Sequence, residues 1–316
     1  MAHRLSLARI EQALGVIDPV FTNTPQFISD TLSAELGARV VVKVETANPI
    51  RCFKGRGADF FAAGELPGSR IVTASAGNLG QAMAYACARR GLALRIYASV
   101  NANTLKIARM RALGSTVVLA GEDFDAAKIE AKRFCEESGA RMVEDGREVA
   151  LSEGAATIGI ELLRFPEALD TILVALGNGA ILGGVARWVK AHAPHVQVIG
   201  VAASGAPCME RSWRERRVIA LPAIDTIADG MATRIPIPEA LADLVATIDD
   251  IVLVSDDSMI AGMRLAHRHL GVVLEPSGAA GLAALIEHPR RFAGRTVATI
   301  LCGGNITPEQ ARLWLF

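Results

Sequence analysis

Strand-length runs of β-branched and aliphatic residues alternate with alanine-rich segments along most of this chain, and that alternation limits the folds open to it. Eight such runs occur, at 39–45, 70–75, 93–99, 115–121, 171–176, 196–203, 250–255 and 295–304. Nearly all of them precede a segment with helical periodicity. This order is typical of parallel sheets that carry helices on both faces. We therefore predict an α/β protein built from open, mostly parallel twisted sheets.

The strand–helix units at 70–145 are regular enough to form a small sheet of their own, which leaves the other runs to build a larger one. We therefore place a small domain at 65–145 and a large domain at 1–64 and 146–316. A chain of 316 residues has room for two domains. Ligands of such folds bind at the carboxyl ends of strands, where turns at 75–81, 177–184, 228–230 and 302–305 carry glycine or asparagine.

Charge and cysteine content narrow the class of partner. Lys plus Arg balance Asp plus Glu at 33 each, so nothing attracts the chain to nucleic acid or to an anionic membrane. We expect a small-molecule partner instead. The five cysteines are dispersed without a CxxC pair, which disfavours a zinc site and fits free thiols in a reducing cytoplasm. The most apolar segment, 171–186, is short and broken by Gly and Asn, so it is a poor membrane span.

The stretch LGNGAILGG (176–184) joins a strand to a helix through small residues, which lets backbone N–H groups approach an anion. A dinucleotide fold is one interpretation, but the glycine spacing differs from G-x-G-x-x-G and the next strand ends without an acid. No Lys-Ser/Thr pair follows, which excludes a P-loop. Tight helix–sheet packing remains a second interpretation. A single phosphate group fits the stretch best.

Two further turns could hold parts of a ligand. TASAGNLGQ (73–81) offers a second helix N-terminus suited to a carboxylate, and its Asn78 amide could donate to a phenolate-like oxygen. Ordinary helix capping by Ser and Asn is the alternative. ILCGGN (300–305) delivers Cys302 to a Gly-Gly turn, where the thiol is either a buried structural group or a neutral partner for a ring nitrogen.

Lys54 lies in NPIRCFKGRGADFF (49–62), directly after an aromatic residue and close to two glycines. A lysine on the surface, with its stem along apolar groups, is the ordinary interpretation. Here, however, Phe53 could cover a planar ring, and an apolar surround would favour the neutral amine that Schiff-base chemistry requires. A phosphate site, a carboxylate site, a ring and a lysine together describe pyridoxal 5′-phosphate bound to an amino acid.

The stretches resemble, in collinear order over roughly residues 15–316, the fold-type II pyridoxal phosphate enzymes of the threonine/serine dehydratase and serine racemase group. CFKGRGA (52–58) is similar to the S-F-K-x-R-G-A motif of that family, and SAGNLGQ (75–81) to S-x-G-N-H-x-Q. GNGAILGG (177–184) stands where the family has G-G-G-G-L. TIADGMATR (226–234), LEPSGAAGLAAL (274–285) and CGGN (302–305) resemble the T-I-A-D-G, E-P-x-x-A-x-x-A and [SC]-G-G-N segments. The resemblance implies a fold like that of tryptophan synthase β, in which the large domain binds pyridoxal phosphate and the small domain closes on the substrate.

The same resemblance implies a role for each matching residue. Lys54 forms the Schiff base with the cofactor and moves the α-proton, Phe53 lies against the ring, and Asn78 contacts the 3′-oxygen. Cys302 faces the pyridine nitrogen, and as a neutral thiol it leaves the ring a milder electron sink than an Asp would. Backbone groups hold the two anions: Gly177, Asn178, Gly179 and Ala180 for the phosphate, and Ser75, Ala76 and Gly77 for the substrate carboxylate.

Several positions depart from the family pattern. The racemases of the family place a Ser where this chain has Ala76, so we expect elimination rather than racemisation. Relatives that bind a divalent ion use acids where this chain has Ala202 and Cys208, so we predict no metal there. Leu79 and Asn178 replace a His and a Gly, which bears on substrate choice. Candidates to bind a second substrate carboxylate are Arg51, Arg56 and Arg234, none of them clearly placed.

The resemblance thus implies a cytoplasmic, homodimeric ammonia-lyase that converts a β-hydroxy amino acid, such as L-threonine or L-serine, to a 2-oxo acid and ammonia. Relatives of these substrates, 3-hydroxyaspartate or phenylserine, are further candidates. A β-replacement enzyme, like cysteine synthase or threonine synthase, is the alternative, although those relatives favour an Asp where this chain has Gly55. A non-catalytic sensor of the same fold is the third interpretation, and retention of Lys54 argues against it.

Overall fold

The computed structural model describes residues 3–102 and 104–316. Within them the strands are β1 (Gln26–Ile28), β2 (Arg39–Val44), β3 (Arg70–Ala74), β4 (Ala93–Ala98), β5 (Thr116–Leu119), β6 (Arg141–Val143), β7 (Thr171–Ala175), β8 (Gln197–Ala203), β9 (Asp250–Val254) and β10 (Thr296–Leu301). All eight predicted runs are strands. The prediction missed β1 and β6, which have three residues each.

The helices of the described residues are α1 (Leu7–Val16), α2 (Asp30–Leu36), α3 (Lys54–Ala63), α4 (Asn78–Arg90), α5 (Thr104–Ala112), α6 (Phe124–Ser138), α7 (Val149–Leu163), α8 (Ala180–His192), α9 (Cys208–Glu215), α10 (Pro238–Thr247), α11 (Asp256–Leu270), α12 (Ala280–Glu287), α13 (Pro289–Phe292) and α14 (Pro308–Trp314). Short 3₁₀ turns cover Pro19–Phe21, Asp229–Met231 and Pro276–Ala279. Helix ends follow local chemistry, since Asp123 caps α6 with its side chain and Gly91 ends α4 in the left-handed conformation.

The strands form two sheets, ordered β1-β2-β10-β7-β8-β9 and β5-β4-β3-β6. Every recorded pairing is parallel except that of β1 with β2. Strand β7, at the centre of the larger sheet, is buried along its whole length, as a strand covered by helices on both faces must be. The predicted α/β class with two mostly parallel sheets is confirmed.

Helix α3 lies between the two sheets. Its apolar side chains share one core cluster with those of α4 and the smaller sheet, and its other side crosses α7. At that crossing a Cβ on Gly57 would lie 2.4 Å from the Leu151 carbonyl oxygen, so only glycine allows the two backbones to approach this closely. The smaller sheet uses strands between residues 70 and 143, and the domain boundaries at 64/65 and 145/146 stay a prediction.

Candidate active site

Lys54 is the first residue of α3, and its side chain points into the molecule. Only 16% of that side chain is exposed, and Nζ lies 2.9 Å from Oδ2 of Asp145. The same nitrogen is 4.9 Å from the centre of the Phe53 ring. The Phe53 backbone N–H donates to the carbonyl oxygen of Cys302 at 3.0 Å, which ties the start of α3 to the end of β10. The lysine is therefore held in a cleft at the carboxyl end of the larger sheet.

The glycine turn between β7 and α8 leaves backbone N–H groups open at a helix start. Gly179, the residue before α8, adopts φ +94° and has no side chain to cap the helix. A Cβ on Gly177 would lie 2.1 Å from the Gly230 carbonyl oxygen, so this position has no room for a side chain. An uncapped start of a 13-residue helix suits a phosphate group, because its N–H groups and dipole both favour an anion.

Asn178 links that turn to Lys54. Its amide nitrogen is 3.5 Å from the same Asp145 oxygen that contacts Lys54, and its amide oxygen accepts from the Thr233 hydroxyl at 3.2 Å. The lysine and the glycine turn are thus joined through one carboxylate. The sequence prediction did not include Asp145, although it follows strand β6 in the same way that the other site turns follow their strands.

The turn at 75–77 lies between β3 and α4. The Ser75 hydroxyl accepts from the backbone N–H groups of Gly77 and Gly80, at 3.2 and 3.1 Å, so this serine shapes the turn as a helix-capping group does. Gly77, the residue before α4, makes no side-chain cap of its own. Ala76 is half-buried and brings no polar side-chain atom.

Asn78 faces Glu275, a residue that the predicted site did not contain. Its amide donates to Glu275 Oε1 at 2.6 Å, and its amide oxygen accepts from Asn305 at 2.9 Å. The backbone N–H of Asn305 donates to the other Glu275 oxygen at 3.1 Å. Burial raises the pKa of Glu275, and the charge of Lys106 with the Asn78 hydrogen bond offsets this only in part. The sequence shows the motif that contains Glu275, but it does not show that Glu275 contacts Asn78, which lies 197 residues away along the chain.

Cys302 follows β10 and is 4% exposed, with its Sγ 3.5 Å from the Ser277 carbonyl oxygen. Burial raises the pKa of this thiol, and the nearby Glu275 carboxylate raises it further. The same two causes raise the pKa of Cys52 to about 12. Both thiols therefore stay neutral at physiological pH, which suits a neutral partner for a ring nitrogen.

The arginines considered for a second substrate carboxylate are placed in different ways. Arg56 is fully buried and pairs with Glu45 and Glu161, so it cannot reach a substrate. Arg234 pairs with Asp125, in the first turn of α6. Arg51 is exposed, at a positive φ of 54°. Of these three, Arg56 and Arg234 are already engaged by carboxylates of the protein.

At the positions where some relatives carry metal-binding acids, the Cys208 thiol donates to the Thr233 carbonyl oxygen at 2.8 Å. Across residues 3–102 and 104–316, no group of three or more His, Cys, Asp or Glu side chains is arranged to hold a metal ion. The absence of a divalent ion stays a prediction.

No helix in the described part of the chain combines the length and apolar character that a bilayer crossing requires.

Comparisons with known proteins agree with this geometry. The model of a family described as "Pyridoxal-phosphate dependent enzyme" matches residues 17–303. The biosynthetic L-threonine dehydratase of Pasteurella multocida is 32% identical over 280 residues, 87% of this chain and 55% of its own length. An L-threonine ammonia-lyase of Geobacter sulfurreducens is 31% identical over 88% of this chain and 70% of its own. Maize serine racemase superposes with a TM-score of 0.92 at 26% identity, covering 98% of this chain and 97% of that one. The chain thus spans about half the length of the Pasteurella enzyme.

Proposed function

The chain belongs to the pyridoxal-phosphate dependent enzyme family, and on that premise we propose that it is an ammonia-lyase acting on a β-hydroxy amino acid such as L-threonine or L-serine. The products are a 2-oxo acid and ammonia. One observation carries the proposal. The largely buried amine of Lys54 and the amide of Asn178 both contact Asp145, which brings the amine close to the uncapped, glycine-lined start of α8. That arrangement offers both an amine for a carbonyl carbon and a site for a phosphate.

The residues of the cleft fit pyridoxal 5′-phosphate. The turn before α8 has no room for a Cβ at Gly177, because a side chain there would clash with the Gly230 carbonyl oxygen and displace the turn whose N–H groups would hold a phosphate. Phe53 offers a ring face beside Lys54, and Cys302 offers a neutral thiol at the bottom of the cleft. In this arrangement the phosphate is held by the backbone of Gly177, Asn178, Gly179 and Ala180, the 3′-oxygen by Asn78, and the substrate carboxylate by Ser75, Ala76 and Gly77.

The bound cofactor supplies an electron sink that acidifies the α-hydrogen of an amino acid joined to it. Lys54 is the base that takes this hydrogen, and it is placed to return the proton to the departing hydroxyl. The helix start at Gly77 orients the substrate carboxylate, so that the α-hydrogen faces the lysine. Asn78 is held by Glu275 and Asn305, which fixes its amide for contact with the cofactor.

Ala76 favours elimination over racemisation. A racemase needs a second group that moves a proton on the face opposite the lysine, and a methyl side chain cannot do so. The alternative of β-replacement is disfavoured at Gly55, where a Cβ would lie 2.3 Å from the Phe21 ring. The Asp that β-replacement relatives favour at this position does not fit without displacing that ring. We further propose that the enzyme is a cytoplasmic homodimer.

The decisive experiment is a substrate screen of the cofactor-loaded enzyme, coupled to detection of 2-oxo acids. L-Threonine should give 2-oxobutanoate, and L-serine should give pyruvate. Lys54→Ala should lose both turnover and the near-visible absorption of the lysine-bound cofactor, whereas Lys132→Ala, at an exposed lysine of α6, should keep both. The proposal fails if loaded enzyme makes no oxo acid from any hydroxy amino acid. Turnover that persists in Lys54→Ala would remove the role given to this lysine, and it would still exclude the non-catalytic sensor.

A further inference from the structure

A carboxylate that the function above does not use lies against the reactive lysine. Asp145 Oδ2 is 2.9 Å from Lys54 Nζ, and its side chain is 18% exposed. It therefore lies inside the cleft, where water screens its charge less than at the open surface. Within the described residues, Lys54 is the cation recorded in an ion pair with Asp145.

The turn that carries Asp145 is held on two sides. Gly146 adopts φ +82°, and a Cβ there would lie 2.6 Å from the Asn178 carbonyl oxygen, so the turn packs directly on the glycine turn before α8. On the other side Arg4 donates to the carbonyl oxygens of Gly146 and Arg147, at 3.0 and 2.6 Å. Arg4 is itself fixed by Asp243. The carboxylate is thus a built feature of the cleft and not the tip of a loose loop.

Among residues 3–102 and 104–316, no second cation is recorded in an ion pair with this carboxylate. Arg147, two residues along, turns to Glu144 and Glu239. Two basic residues of α5 have partners on the Glu275 side of the cleft, since Lys106 contacts Asp229 and Arg109 contacts Asn305, and the third, Arg111, donates to the Val117 carbonyl oxygen. Asn178, the other neighbour of Asp145, is a neutral amide. The charge of Asp145 is therefore presented to whatever approaches the lysine.

A substrate must approach closely enough to be influenced by this charge. Proton transfer brings the α-carbon of an amino acid to within roughly 3.5 Å of the lysine nitrogen. Because Asp145 lies 2.9 Å from that nitrogen, the α-carbon comes within roughly 6 Å of the carboxylate, and a charged group three bonds further along the side chain stays within roughly 10 Å of it. A positively charged substituent is attracted by the carboxylate, and a negatively charged one is repelled.

We propose that Asp145 is a specificity-determining residue that makes the side-chain subsite anionic. The enzyme then binds amino acids with a cationic side chain, such as short diamino acids, more tightly than neutral ones of equal size, and it rejects those with a second carboxylate. This inference rests on the proposed function in taking Lys54 as the amine that meets the amino acid. It disfavours 3-hydroxyaspartate among the substrates considered above.

The test uses three four-carbon amino acids without a leaving group on the β-carbon: L-2,4-diaminobutyrate, L-2-aminobutyrate and L-aspartate. Their dissociation constants come from the change in visible absorption of the loaded enzyme, so no turnover is needed. Each step from cation to neutral to anion should weaken binding about tenfold or more, as Coulomb energies at this separation require. Asp145→Asn should reduce the spread to about threefold or less, and Asp145→Glu should keep the order.

Asp257→Asn is the matched control, because it removes one negative charge from an exposed position at the start of α11. It should bind all three ligands as the wild type does. Equal binding of the three ligands by the wild type overturns the inference, and so does an unchanged spread in Asp145→Asn. If Asp145→Asn fails to retain the cofactor, the inference is tested by the order of the three dissociation constants in the wild type and in Asp145→Glu. An enzyme that shows this binding order but makes no oxo acid refutes the proposed function and leaves the inference standing.

Discussion

Replacing Glu161 by alanine should destabilise this protein more than replacing any exposed charged residue, because Glu161 belongs to a buried cluster of four charges next to α3. Arg56 donates to Glu161 at 2.6 and 3.0 Å and to Glu45 at 2.7 and 2.8 Å. Lys43 donates to Glu161 at 2.5 Å. All four side chains are at most 3% exposed. Two cations and two anions balance one another only while the set is complete.

Glu161→Ala leaves two buried cations with one carboxylate, and the backbone N–H of Asn23 loses its acceptor at 2.8 Å. Removing one partner of a buried pair costs about 3–5 kcal/mol, since the remaining charge has no solvation to replace it. For a chain of this size, a loss of 1 kcal/mol lowers the melting temperature by roughly 2 °C. We therefore expect a melting temperature roughly 6–10 °C below that of the wild type.

Thermal unfolding of the loaded enzyme at pH 7 measures this difference. Glu167→Ala is the control, because Glu167 makes a bidentate pair with Arg39 at 2.6 and 2.7 Å, yet both side chains are more than 40% exposed. Exposed pairs contribute little, so this variant should melt close to the wild type. If Glu161→Ala lowers the melting temperature no more than Glu167→Ala does, the buried cluster does not stabilise the fold as we propose.

The pH dependence of the same variant adds a second check. Burial alone would raise the pKa of Glu161, but hydrogen bonds and charges from Arg56 and Lys43 outweigh it and hold the pKa below its ordinary value of 4.5. A carboxyl with a lowered native pKa stabilises the fold fully above the unfolded pKa and loses that contribution as the pH falls through the native one. The difference in melting temperature between the wild type and Glu161→Ala should therefore become smaller below about pH 4.5.

Three further outcomes follow from the site. Ala76→Ser, by supplying a hydroxyl opposite the lysine, should raise formation of D-serine from L-serine, and unchanged D-serine alongside normal oxo-acid production would contradict this. Gly177→Ala should weaken cofactor binding in an absorbance titration, because its Cβ would lie 2.1 Å from the Gly230 oxygen and relieving such a clash costs about 1–3 kcal/mol. At pH 8 a thiol reagent should modify one cysteine quickly, the partly exposed Cys135, because the other four thiols are buried and closed to the reagent. Burial raises the pKa of all five thiols, so exposure to the reagent makes the difference. A second fast thiol in the native enzyme, or a fast thiol that survives in Cys135→Ser, would contradict the last prediction.

The strands were predictable because their signal is local. A central parallel strand is buried on both faces, so it must consist of consecutive apolar residues, and TILVA in β7 is fully buried for that reason. Strands β1 and β6 escaped prediction because three residues at the edge of a sheet need not be apolar throughout. The missed β6 had a consequence, since the turn that follows it carries Asp145.

The site was predictable where its residues lie inside one short motif. Lys54 follows Phe53, and the glycine turn precedes its helix, so adjacent positions in the sequence remain adjacent in space. Glu275 and Asp145 act through contacts that span 197 and 91 residues. Such contacts depend on how the two sheets pack, and a single sequence records no trace of that packing.

Arg56 shows why an isolated charge in a sequence is ambiguous. Two residues after Lys54, it was a candidate for binding a substrate carboxylate, yet its carboxylate partners are Glu45 and Glu161, 11 and 105 residues away. A guanidinium with two bidentate partners has a fixed position and orientation. Because Arg56 and Lys54 lie on the first turn of the same helix, the buried cluster also sets where the lysine stem begins. The charge that was a candidate for contacting the substrate therefore acts on the position of the lysine instead.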